Sequence, residues 1–277
     1  MTGVRTDPAL LVELRALAED AARAAGRLVR DRPERLSVAA TKSSPTDVVT
    51  AMDTAAEALL VDLLATRRPH DGLLGEEGGL REGSSGLTWV VDPIDGTVNY
   101  LYGIPAYAVS VAAVHGRPEP GRWEPLAGCV HNPATGETWT AAAGLGASLD
   151  GRPVTVNRGV PLERALVGTG FGYTVERRRE QARVLAELLP RVRDVRRAGA
   201  ASLDLCAVAS GRLDAYYERG LKPWDLAAGQ LVASEAGATV TGLAGRPAGE
   251  AMVVAAAEEL ARPLADALAD LGADGGD

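Results

Sequence analysis

The apolar run Trp89-Val90-Val91 stops abruptly at Asp92-Pro93-Ile94-Asp95-Gly96-Thr97. This segment constrains the chain more than any other. A strand that delivers two carboxylates, three positions apart, at its end is a rigid way to aim charge at one point. Pro93 keeps Asp92 extended and stiffens the turn. Gly96 lets backbone approach a ligand closely. A helix starting near Thr97 would point its free amides at the same spot as the carboxylates.

Free amides at a helix start hold phosphate well, but two carboxylates beside a phosphate repel it. Divalent cations resolve that conflict, and hard oxygen donors favour Mg²⁺. Three weaker signals accompany the first. Gly75-Glu76-Glu77-Gly78-Gly79 sets an acidic pair between glycines after an apolar stretch. Pro223-Trp224-Asp225 opens a helical segment, and Lys42-Ser43-Ser44-Pro45 is followed by Asp47, Thr50 and Asp53. Alone, each reads equally well as an exposed turn or a helix cap, with Asp53 capping a helix that begins at Thr54.

The rest of the chain supplies a frame. Leu10, Leu14, Leu17, Ala21, Ala24 and Leu28 recur at helical spacing behind Asp7 and Pro8, which predicts a capped amphipathic helix over Pro8–Arg30. Strands are expected at residues 72–76, 88–91, 106–114, 126–130, 137–143 and 147–149, the last closed by an Asp150-Gly151 turn. Beyond this meander, helices at 175–189, 201–210, 226–236 and 257–271 alternate with strands at 213–217, 239–242 and 252–255. Layered α/β subdomains follow, residues 1–155 and 156–277.

Composition removes several classes. A net charge of -8 argues against a nucleic-acid partner or an anionic membrane surface. Cys129 and Cys206 are too few for a disulfide framework and read as buried. No leader pattern stands at the N-terminus and no apolar run reaches the roughly 18 residues of a membrane span, so a cytoplasmic protein is expected. His70, His115 and His131 lack zinc-hydrolase spacing and read as surface or turn residues. Gly168-Thr169-Gly170-Phe171-Gly172 lacks nucleotide-loop spacing and reads as a glycine-rich strand or loop.

Together the signals resemble the inositol monophosphatase family, of the lithium-sensitive, magnesium-dependent phosphatase superfamily. The resemblance rests on Lys42-Ser43-Ser44-Pro45 to Asp53, Gly75-Glu76-Glu77, the run from Asp92 to Asn99-Tyr100, and Asp214-Ala215-Tyr216-Tyr217-Glu218 to Trp224-Asp225. It extends over residues 10–259. It implies a layered αβαβα sandwich, a homodimer, two or three Mg²⁺ ions, and hydrolysis of a small phosphate ester, foremost inositol 1-phosphate.

The resemblance also implies roles. Glu76, Asp92 and the Ile94 carbonyl would hold one ion; Asp92, Asp95 and Asp225 a second; a third would sit near Glu76. Glu76 and Thr97 would orient the attacking water, with Asp53 polarising Thr97, and the amides of Gly96 and Thr97 would cradle phosphate. Substrate hydroxyls would meet Gly199, Ala200, Ala201, Glu218, Asp95 and Asp225. Ala200 departs from the Ser or Thr common in the family. Histidinol-phosphate and fructose 1,6-bisphosphate phosphatases share the metal signature and stay open, with a phosphoadenosine phosphatase less favoured. A non-catalytic RNA-processing partner is the alternative outside enzymes.

Overall fold

A computed structural model describes residues 7–31, 38–41 and 48–275. Lys42, Ser43, Ser44, Pro45 and Asp47, part of the predicted signature, lie outside the described residues. The first half runs through helix α1 (Pro8–Arg30), strands β1 (Val38–Thr41) and β2 (Val48–Thr50), and helix α2 (Ala51–Arg67). Strands β3 (Gly72–Gly75), β4 (Gly79–Arg81) and β5 (Leu87–Asp95) lead to the short helix α3 (Thr97–Tyr102). Strands β6 (Ala108–Gly116), β7 (Trp123–His131), β8 (Thr138–Ala142), β9 (Ala147–Leu149) and β10 (Arg152–Pro153) follow. The second half alternates: β11 (Leu166–Thr169), α4 (Val175–Leu188), β12 (Asp194–Arg196), α5 (Ala201–Ala209), β13 (Ala215–Glu218), α6 (Pro223–Glu235), β14 (Thr239–Thr241), β15 (Val253–Ala256) and α7 (Glu258–Asp270).

Local chemistry explains the best-defined starts. Asp7 accepts the Ala9 N–H at 2.9 Å and Pro8 occupies the first turn of α1, as its spacing predicts. Helix α2 begins earlier than expected. Thr50, not Asp53, is its N-cap, and Asp53 completes a capping box from the third helical position.

Two sheets carry the architecture. Eight strands pair in the order β10-β9-β8-β7-β6-β5-β3-β4, antiparallel except for β3 with β5. Five pair as β12-β11-β13-β15-β14, with β12, β11 and β13 parallel. Helices α1 and α2 cover one face of the large sheet, α5 and α6 lie between the sheets, and α4 and α7 cover the far face of the small one. This is the expected αβαβα layering.

Strand β5 shows why it holds. Every residue of β5 is buried. Trp89 and Val91 enter the core under α1 and α2, whereas Val90 enters the core shared with α5 and α6. Successive side chains of a strand point to opposite faces, so a strand between two helical layers must be apolar on both. Strand β6 repeats the device, with Val109, Val111 and Ala113 on one side and Ala108, Ala112 and Val114 on the other. Residues 106–113 and Trp139, apolar stretches that as sequence suit a dimer surface or the core equally well, are largely core; Trp139 is 2% exposed. Both cysteines are buried, as expected. His131 is buried as well, against expectation, with Nδ1 2.8 Å from the Thr138 hydroxyl. No helix among the described residues is long and apolar enough to cross a membrane.

Candidate active site

The ladder between β5 and β6 shifts register between Asp92 and Asp95, where Pro93 offers no N–H. Pairing is thus interrupted where the carboxylates stand. Asp92 Oδ1 accepts the Ile94 N–H at 3.0 Å. Gly96 then turns the chain with φ +90°, and a Cβ there would lie 2.9 Å from the Ala106 carbonyl oxygen. Only glycine fits both constraints. Helix α3 starts at the next residue, as the motif predicts. The Thr97 hydroxyl lies 3.1 Å from Asp53 Oδ1 and 3.0 Å from the Ile94 carbonyl oxygen, both acceptors. Asp53 is itself held by Thr50, whose N–H and hydroxyl donate to Oδ2 at 2.8 and 2.5 Å.

Two more carboxylates join Asp92: Asp95 from the end of β5 itself and Asp225 from α6. Asp95 Oδ2 accepts the Ser202 N–H at 2.7 Å and its hydroxyl at 2.5 Å, and Oδ1 accepts the Ala201 N–H at 3.3 Å. Asp95 therefore fastens β5 to the first turn of α5. Asp225 Oδ2 accepts the Lys222 N–H at 2.7 Å from the third position of α6. Asp92, Asp95 and Asp225 each offer an oxygen within 4.8 Å of the other two. Burial pushes all three carboxyls upward. Repulsion from Glu76, Asp95 and Asp225 adds to the rise at Asp92, and repulsion from Asp95 and Glu76 to that at Asp225. At Asp95 the Ser202 and Ala201 donors and Arg197 oppose it.

Glu76 faces the same cleft from the loop between β3 and β4. That loop hangs on Glu57 of α2, whose carboxylate accepts the N–H groups of Glu77 at 2.8 Å and Gly78 at 2.6 Å. Glu57 has no sequence signature: it reads as one more polar position on a helix.

The opposite wall belongs to the second half. Glu218 ends β13 and accepts the Tyr216 hydroxyl at 2.5 Å, from the same face of that strand. Burial raises the Glu218 carboxyl to about 7, although Tyr216 and Arg197 pull it down. Asp204 of α5, 3% exposed, is raised to about 8 by burial and then by Glu218 and Asp95. Asn99 ties the two halves together, donating to the carbonyls of Ala106 at 2.7 Å and Ala198 at 2.8 Å. Gly199 and Ala201 line the cleft, whereas Ala200 is 1% exposed and packs behind Gly96. The cleft holds about 580 Å³ between Glu76, Asp92, Thr97, Asp225 and Glu218. Sequence reasoning missed Glu57, Ser202 and Asp204, and it gave Arg197 a place in the segment before α5 but its side chain no role; Ser202 carried a signal, a hydroxyl residue just inside a predicted helix start.

A layered α/β sandwich with oxygen-only carboxylate donors around one cleft defines a metal-dependent phosphatase class. The chain belongs to the inositol monophosphatase family, whose model matches residues 10–272. Inositol-1-monophosphatase SuhB of Mycobacterium tuberculosis (strain ATCC 25618 / H37Rv) is 49% identical over 276 residues, covering 93% of this chain and 92% of that protein. A protein named Nus factor SuhB from Pseudomonas aeruginosa is 41% identical over 245 residues, covering 86% of each. The solved structure of Mycobacterium tuberculosis SuhB superposes with a TM-score of 0.78 at 46% identity, over 94% of this chain and 97% of that one. Inositol monophosphatase from Anabaena (Nostoc) sp. PCC 7120 gives 0.80 at 31% identity, with the same two coverages.

Proposed function

We propose that this protein hydrolyses inositol 1-phosphate to inositol and phosphate, using Mg²⁺. The observation that carries the reading is the crowding of Asp92, Asp95 and Asp225, two buried carboxylates and one half-buried, with oxygens within 4.8 Å of one another. Such a group is costly without cations. Its donors are all hard oxygens, which suit Mg²⁺ rather than a thiolate- or imidazole-seeking metal. Glu76, Asp92, Asp95, Asp225 and the Ile94 carbonyl would hold two or three ions. When bound, these ions supply positive charge to the phosphoryl group and to the departing alkoxide.

The chain's own groups do the rest. The Thr97 hydroxyl donates its hydrogen bond to the Asp53 carboxylate or the Ile94 carbonyl, so an oxygen lone pair is left to accept from water. Glu76, across the cleft, accepts the second hydrogen of that water and holds it in line with the ester. The amides of Gly96 and Thr97 bind the phosphate oxygens. Glu218, Asp95 and Asp225 accept from ring hydroxyls, and Gly199 and Ala201 present backbone to the ring. In this reading residues 1–155 carry most of the metal ligands, and residues 156–277 carry the substrate contacts and the last ligand.

The test is phosphate release with Mg²⁺ from inositol 1-phosphate, histidinol phosphate, fructose 1,6-bisphosphate and 3′-phosphoadenosine 5′-phosphate. Fast release from the first, abolished by EDTA, is expected. Release from another member alone would move the substrate and keep the chemistry. The relatives named Nus factor favour a second reading, a non-catalytic partner in RNA processing. Silence on the whole panel, with salt-sensitive RNA binding in a gel-shift assay, would replace the first reading by that one.

A further inference from the structure

Ser202 has no part in the chemistry above, yet it makes two close contacts inside the carboxylate cluster. Its N–H and its hydroxyl both donate to the same oxygen, Asp95 Oδ2, at 2.7 and 2.5 Å. A carboxylate oxygen carries two lone pairs, and these two donors use both. Oδ1 receives one donor, the Ala201 N–H, at the long distance of 3.3 Å. Asp95 therefore has one oxygen filled and one oxygen open.

The arrangement is held from behind. Ser202 is fully buried, so water does not stand in for its hydroxyl. Helix α5 has no side-chain cap of its own at Ala200, and the Asp95 carboxylate takes that place by accepting from the first two N–H groups of the helix. Helix α6 packs tightly on the same turn: a Cβ at Gly229 would stand 3.3 Å from Ser202 Cα and 2.8 Å from Leu205 Cδ1. Gly229 lies about one turn beyond Asp225. The helix that delivers Asp225 thus also keeps Ser202 against Asp95.

Two hard cations respond differently to a half-filled carboxylate. Mg²⁺ demands a near-octahedral set at about 2.0–2.1 Å, and the narrow bite of a carboxylate does not fit two corners of it. Ca²⁺ takes roughly six to eight oxygens at about 2.3–2.6 Å and accepts a carboxylate through one oxygen or both. Filling Oδ2 costs Mg²⁺ no ligand, whereas it denies Ca²⁺ one.

We infer that Ser202 is a positioning residue that restricts Asp95 to coordination through one oxygen, so that the cluster takes Mg²⁺ and discriminates against Ca²⁺. This rests on the reading of Asp92, Asp95 and Asp225 as ion ligands.

The test is the ratio of the Ca²⁺ to the Mg²⁺ dissociation constant, measured by calorimetry on the full chain after EDTA treatment, for the wild type and Ser202→Ala. The alanine keeps both backbone donors to Asp95 and frees one lone pair of Oδ2. The ratio should fall about tenfold, the scale on which partners of a metal ligand act. Weaker capping of α5, or an altered charge on Asp95, acts on both cations alike and leaves the ratio in place. Crystals grown with Ca²⁺ supply a second readout that does not need the variant. Wild type should show one Asp95 oxygen on the ion, and Ser202→Ala should show two. An unchanged ratio overturns the inference, as does a wild-type Ca²⁺ complex with both Asp95 oxygens on the ion. Phosphate release with Mg²⁺ is recorded in parallel. A shifted ratio without release from any ester fails the phosphatase reading alone, and release with an unchanged ratio fails this inference alone.

Discussion

Asp92 and Asp95 reach the cleft from one nine-residue strand, with Thr97 just beyond it. Arg177, Arg197, Asp204 and Glu218 reach the facing wall from α4, the loop after β12, α5 and β13. The first wall is a local device: a strand end, a proline and a positive-φ glycine set its geometry within a few residues. The second is a tertiary device, since nothing in its parts meets until two sheets and the helices between them have packed. The electrostatics differ in the same way. The first wall concentrates carboxylates that repel one another, a repulsion that cations bound there would relieve. The second answers Glu218 and Asp204 with Arg197 and with protons.

The contrast breaks first at Asp92. Asp92→Asn removes the group that faces Glu76, Asp95 and Asp225 together. Turnover at saturating Mg²⁺ should fall by at least about 10³-fold, the scale of losing a main electrostatic contact to the reacting group. The same substitution should raise the melting temperature in EDTA, because a buried, repelled carboxylate is gone. Near-normal phosphate release would show that the strand end is not where the metal chemistry lies.

That asymmetry also decides what sequence reading can reach. Trp89 to Thr97 announced its role because all its parts are contiguous, and α1 announced its limits through Asp7, Pro8 and a repeating apolar face. The start of α2 is harder to place from sequence, because Thr50 and Asp53 both carry side-chain oxygens able to cap a helix, and the fold uses both in one capping box. Strands β4 and β12, three residues each, are too short to show alternation. Asp204 looks like an ordinary first-turn acid of a helix until Glu218, fourteen positions later, is folded against it. Arg177 stands among the charged residues of Val175–Leu188, and its place against glycines 172 and 220, where a Cβ would meet its side chain, shows only in the fold.

The facing wall is tested through its protons. Asp204 has a folded-state pKa of about 8 against 3.8 for an exposed aspartate, so the folded chain keeps a proton that the unfolded chain releases. Its contribution is fully present below about pH 4 and is lost as pH rises towards 8. Asp204→Asn cannot titrate. Between pH 5 and 8 the wild type should lose roughly 3–4 kcal/mol more stability than the variant, measured by denaturant unfolding in EDTA. Glu218, raised to about 7, titrates in the same window, so the variant's slope should shrink without vanishing. Parallel slopes would mean that Asp204 is ionised in the fold and that Arg197 alone balances this wall.

The smallest expected effect lies where the first wall depends on a residue outside its own motif. Glu57 holds the Glu76 loop through two backbone N–H groups, one on each carboxylate oxygen. Glu57→Gln is nearly isosteric but replaces one acceptor by an NH₂ donor, so one of the two N–H groups must lose its partner. A lost charge-assisted bond to the backbone costs about 1–2 kcal/mol, paid here as loop disorder rather than as unfolding. Glu76 would then be positioned less often, and the Mg²⁺ concentration for half-maximal activity should rise about tenfold, as for other groups that orient a metal ligand. The rate at saturating Mg²⁺ should stay within about twofold of wild type, since enough cation reorders the loop. A fall in the saturated rate with an unchanged Mg²⁺ requirement would point elsewhere. Glu57 would then act on the water-orienting geometry of Glu76 and not on its hold over the ion, and the strand-end wall would lean on tertiary packing as heavily as the one it faces.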